Sequence, residues 1–113
     1  MEEPTVSLLE CDGLAVVLLQ GSASVETCAR LHALLLQANP DRNVAVDWER
    51  VEHVNAATVQ VLLALQRRLA QRGFSLSVLK DNRRVRNYLE MAGLADYFPL
   101  RPAAPASAEV SNA

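Results

Sequence analysis

Two short apolar runs, Thr5 to Glu10 and Leu14 to Gln20, open the chain on either side of Asp12-Gly13. Asp-Gly between β-prone runs predicts a tight hairpin, because both residues accept the positive φ such turns need. The second run, LAVVLLQ, is apolar almost throughout. That is the pattern of a strand covered on both faces, and Gly21 reads as its end. Leu31, Leu34, Leu35 and Ala38 then recur at helical spacing. Ser22 and Ser24 are candidate N-caps of this first helix, with Glu26 and Thr27 in its first turn. Asn39-Pro40-Asp41 closes it, since a residue before proline is pushed out of helical conformation.

Val44 to Trp48 predicts a third strand, with Glu49, Arg50 and Glu52 in the turn that follows. Asn55 caps a second helix, Ala56 to about Gln71, whose buried stripe is Val59, Leu62, Leu63, Leu65, Leu69 and Ala70. Gly73 stops it. Phe74 to Leu79 alternates and predicts a fourth strand. Asp81 or Asn82 caps a third helix running to Met91, and Leu94 to Leu100 closes the domain. The order β-β-α-β-α-β-α predicts an α/β fold: a single mixed sheet of about four to five strands with helices packed on it. Residues 1–4 are an N-terminal extension and 5–100 the domain. Residues 101–113 are a Pro/Ala/Ser tail expected to be disordered, with too little apolar surface to bury.

Composition narrows the function. Half of the 113 residues are hydrophobic and 4% are aromatic, so the core must come from Val, Leu and Ala. A net charge of −2 argues against a chain that grips nucleic acid through phosphates. No apolar run approaches the roughly 20 residues that span a bilayer. The acidic start MEEPTVSLLE lacks the positive region of a signal peptide, and a cytoplasmic protein with reduced Cys11 and Cys28 is expected.

Catalytic signatures are absent: the chain contains no GxGxxG, Walker A, HExxH or GxSxG segment. Cys28 and His32 lie four apart on one helix face, but two ligands do not make a zinc site, and nothing orients them as a nucleophile and base. Glu49, Arg50 and Glu52 read as solvated. Arg83-Arg84-Val85-Arg86 reads as a solvated helix start rather than a phosphate site. No enzyme, metal or cofactor is expected.

The telling segment is VAVDWERVEHVNAATVQVLLAL, where small residues open a long apolar helix. Small side chains let another surface approach, and the unpaired N–H groups of a helix start attract an acceptor. This stretch resembles the STAS family, the sulfate-transporter and anti-sigma-antagonist domain, and the resemblance extends over about residues 5 to 100. Asp47 matches the acidic end of the family's strand, and Asn55 falls on the aspartate of its Asp-Ser-Ser/Thr-Gly-apolar motif. Ala56 falls on the usual phosphoacceptor, Ala57 on the next small residue and Thr58 on the glycine. VRNYLEMAGL, Val85 to Leu94, is similar to the family's third helix.

Many members bind an anti-sigma kinase and are released when that Ser/Thr is phosphorylated. The resemblance therefore implies a non-enzymatic regulatory binding module of bacterial origin. It would dock an anti-sigma kinase or a chemotaxis or two-component protein through Asn55, Ala56, Ala57, Thr58, Val59 and Gln60, with Ser22 and Ser24 beside them. Ala56 has no hydroxyl, so the standard switch is missing. Thr58 is the alternative acceptor, though a hydroxyl there is expected to bond its own helix backbone or a partner. The alternative implied by the family is an accessory subunit binding the ATPase of a lipid-transport ABC system. A homodimer through a strand edge or helix face is compatible with the pattern.

Overall fold

A computed structural model describes residues 5–11, 13–22, 25–38 and 41–101. The two opening runs form β1 (Thr5–Cys11) and β2 (Leu14–Ser22), paired antiparallel with Cys11 opposite Leu14. Gly13 takes φ +77°, the conformation the hairpin turn requires, while Asp12 lies outside the described residues. There follow α1 (Val25–Ala38), β3 (Val44–His53), α2 (Ala56–Gln71), β4 (Leu76–Lys80) and α3 (Arg83–Met91), with a short 3-10 turn at Ala95–Tyr97. The sheet order is β1-β2-β3-β4, and β2/β3 and β3/β4 are parallel.

Parallel neighbours joined through a helix form right-handed crossovers, so α1 and α2 fall on the same face of the sheet. The core agrees. Val17 and Leu19 of β2, Val46 and Trp48 of β3 and Val78 of β4 share one cluster with Leu31 and Leu35 of α1. Leu62 and Leu65 of α2 and Val85 and Leu89 of α3 belong to it too. Trp48 and Phe98, both buried, meet with ring centroids 5.7 Å apart and tilted by 58°, a favoured aromatic geometry. Phe98 thereby ties the closing segment to the sheet. The Val78 N–H donates to Pro99 O, and the Arg101 N–H donates to Val78 O, which sets Leu100 parallel to β4 as a one-residue fifth strand.

Several boundaries differ from the sequence pattern. The LAVVLLQ run is apolar on two faces, but the helices cover one. The opposite face carries the cross-strand row Leu9, Val16, Ala45 and Ser77. Val16 and Ala45 are buried there by their neighbours, while Leu9 and Leu79 are exposed. Gly21 does not end β2. With φ +79° it sits at a register shift against β3, and the strand continues to Ser22. β3 runs five residues past Trp48 to His53, which places Glu49, Arg50 and Glu52 in the strand rather than in a turn. β4 starts later than Phe74 because the Phe74 N–H donates to Leu69 O, closing α2 beyond Gly73 (φ +85°). Asn39-Pro40, expected to close α1, lies outside the described residues, as do 1–4 and 102–113.

Candidate functional site

The predicted site assembles where β3 hands over to α2. Val51, 8% exposed, anchors the strand in the core, and Asn55 stands outside the helix at φ −127°, ψ 146°. Its Oδ1 accepts the Thr58 N–H at 3.0 Å, meeting one of the donors a helix start leaves unpaired. The first turn carries no acidic side chain. Ala56, Ala57 and Gln60 are exposed and Asn55 is half-buried. The register pairs Ser22 with His53, which brings the end of β2 beside the start of α2. Of the two candidate caps of α1, Ser22 instead ends β2, three residues before α1 begins, and Ser24 lies outside the described residues.

Two of the predicted contact residues face inward. Thr58 is 3% and Val59 2% exposed, so neither presents its side chain to a partner. The Thr58 hydroxyl does not bond its own helix backbone, as the sequence suggested. Its Oγ1 is buried without a partner and borders a cavity of about 20 Å³ lined by Thr27, Trp48, Val51 and Leu62 among others. Of the residues expected to meet a partner, Ala56, Ala57 and Gln60 are thus exposed and Asn55 half-buried, while Thr58 and Val59 root the turn in the core.

Beside this surface lies a polar network that the sequence pattern did not reveal. Asn82 caps α3, its Oδ1 accepting the N–H groups of Arg84 (2.8 Å) and Val85 (3.4 Å). Its Nδ2 donates across to β3, to Glu49 O at 2.9 Å, Val51 O at 2.8 Å and Trp48 O at 3.3 Å. Asp81 accepts the Trp48 indole N–H at 2.8 Å and Arg86 Nε at 3.0 Å. Burial by itself would raise the Asp81 pKa. Hydrogen bonds from Trp48, Arg86 and the Asn82 backbone, with the Arg86 charge, outweigh it and hold the carboxyl below its usual 3.8.

The arginine cluster is thus no uniformly solvated helix start. Arg83 is exposed, but Arg84 Nη1 reaches Glu52 O at 3.1 Å and Arg86 is mostly buried in its ion pair. The sequence offered Asp81 or Asn82 as the cap, and the structure selects Asn82, whose second set of partners, more than thirty residues away, left no signal in the local pattern. Cys28 is half-buried and His32 exposed. Among the described residues, no three His, Cys, Asp or Glu side chains gather where they could hold a metal, and no helix is long and apolar enough to cross a membrane.

Known proteins share this architecture. An anti-sigma factor antagonist from Mycobacterium paratuberculosis matches with TM-score 0.73 at 21% identity, over 93% of this chain and 91% of that one. The anti-sigma factor antagonist SpoIIAA in its unphosphorylated form matches with TM-score 0.73 at 18% identity, over 96% of this chain and all (100%) of that one. A putative anti-sigma factor antagonist from Thermotoga maritima gives TM-score 0.76 at 10% identity, over 92% of each chain. At such identities the likeness establishes the fold. No curated protein matches the sequence. Residues 10–102, however, match the family model described as "Mlab, STAS domain". With that model spanning most of the chain, and with the sheet, helices and α2 start arranged as above, the protein belongs to the STAS-domain family.

Proposed function

We propose that this chain is a non-enzymatic regulatory module that binds a signalling partner, an anti-sigma kinase or a chemotaxis or two-component protein, through the start of α2. The observation that carries the reading is the first turn of α2. It is capped by Asn55, and its leading residues, Ala56 and Ala57, are exposed and neither bulky nor charged. A flat turn of this kind admits a partner's backbone or side chains at close range. Family membership and the fold shared with anti-sigma factor antagonists support the same reading.

Neither Ala56 nor Ala57 can accept a phosphoryl group, and the Thr58 hydroxyl is turned into the core. Phosphorylation ordinarily switches such a surface by adding about −1.5 to −2 of charge. Here the surface is constitutive, and regulation falls to the partner or to the amount of protein. This also favours a second reading. The same surface would serve an accessory subunit of the ATPase of a lipid-transport ABC system, since a permanent subunit needs no such switch.

Ala57→Arg tests both. It places a long cation on the exposed turn while leaving the core untouched. Partner recovery in a pull-down is expected to fall at least tenfold with the circular dichroism spectrum unchanged. The identity of the protein recovered by the wild type, a kinase or an ATPase, separates the readings. Undiminished recovery with Ala57→Arg would move the docking surface elsewhere.

A further inference from the structure

We infer that Asn82 and Arg84, at the start of α3, are positioning residues for the α2 docking turn. They stand in for the strand neighbour that the last part of β3 lacks. β4 stops pairing with β3 at Asp47, opposite Lys80. β2 continues beyond that point on the other side, pairing Gln20 with Arg50, Gly21 with Val51 and Ser22 with His53. From Trp48 to His53, β3 is therefore hydrogen-bonded to a strand along one edge only, and its carbonyls on the β4 side need donors.

Side chains supply them. The Asn82 amide divides its two N–H groups among the carbonyls of Trp48, Glu49 and Val51, and the Arg84 guanidinium takes that of Glu52. The Asn82 side chain is itself held at its other end, because Oδ1 accepts the backbone N–H groups of Arg84 and Val85. Val85, 1% exposed, is fixed in the core. α3 thus grips β3 to within three residues of Asn55. Asn55 must keep its extended backbone for Oδ1 to meet the Thr58 N–H. Loosening the carbonyls of residues 48–52 frees that backbone and lets the turn carrying Ala56 and Ala57 wander.

The inference rests on the docking reading only for what the held turn is used for; the holding itself can be tested without any partner. Asn82→Ser keeps an N-cap oxygen for α3 but removes the amide. Backbone hydrogen exchange, resolved by residue, is the readout. The amides of Val51, His53, Thr58 and Val59 are expected to exchange at least tenfold faster, while those of Leu89 in α3 and Val17 in β2 keep their rates. Arg84→Met, at an exposed site where the fold is not at risk, is expected to accelerate His53 and Thr58 two- to fivefold. Unchanged exchange at Thr58 and Val59 in both variants overturns the assignment, and so does uniform acceleration across the chain. Slack exchange at α2 with undiminished partner recovery would leave the positioning role standing and sink the docking reading instead.

Discussion

Two helix starts in this protein are built alike and surrounded differently. α2 and α3 each begin after an asparagine with an extended backbone, φ −127° at Asn55 and −147° at Asn82, whose Oδ1 accepts N–H groups of the first turn. At α3 the rest of the side chain is consumed by the fold, as the amide bonds three β3 carbonyls and the neighbouring Asp81 joins Trp48 to Arg86. At α2 the cap bonds its own helix and is followed by two exposed alanines. A capped helix start is thus neither a site nor a strut in itself. Whatever its side chain and its first-turn neighbours still have to offer outward decides which it becomes.

Asn82→Ala should separate the two starts most sharply. It removes a cap and strands carbonyls that are partly withdrawn from water, so a loss of about 3 kcal/mol is expected in urea unfolding. A cost below about 1 kcal/mol would mean that the amide bonds contribute little.

Acid comes next. Asp81 is more acidic folded than unfolded, so its contribution is fully present above the unfolded value near 3.8. It is lost as pH falls through the lowered folded value. Unfolding midpoints followed from pH 6 to 2 should therefore fall less steeply at the acid end in Asp81→Asn than in wild type. That variant should also start about 1–2 kcal/mol lower at neutral pH, having given up charge-assisted bonds. Parallel pH profiles would remove Asp81 from the account.

The α2 cap is expected to matter less. Asn55→Ala should cost about 1 kcal/mol, the usual value of a cap with no further partners. A cost matching that of Asn82→Ala would erase the contrast between the two starts. Thr58→Val should have the smallest effect and the opposite sign. Replacing a buried hydroxyl that lacks a partner by a methyl group of similar size is expected to raise stability by up to about 1 kcal/mol. A drop in the unfolding midpoint would show that the hydroxyl is satisfied.

Local patterns made much of this legible. The limits of α2 follow from Asn55, the Val59-Leu62-Leu63-Leu69 stripe and Gly73, all within one stretch of chain, and helix and prediction coincide at Ala56–Gln71. The end of α3 at Met91 was equally local. The length of β3 was not, because Glu49, Arg50, Glu52 and His53 are polar residues that read as a turn. They become strand because β2 on one side and the α3 side chains on the other complete their backbone bonds. The direction of Thr58 was hidden for the same reason, since a hydroxyl at a helix start is ordinarily outward and only the packing of α2 on the sheet turns it in.

By itself the sequence determined the element order, the Val/Leu/Ala core, the Asn55 cap and a cap of α3 at Asp81 or Asn82, because each depends on residues within a turn or two of one another. Only the tertiary structure decided which face of the sheet is covered, which cap is spent inside the fold, and which residues of the α2 start remain outside. Those depend on groups thirty or more residues apart, such as Asn82 with Val51 and Trp48 with Asp81. No spacing along the chain records such a meeting, and it becomes real only when burial leaves a backbone carbonyl or an indole N–H with one donor or acceptor in reach.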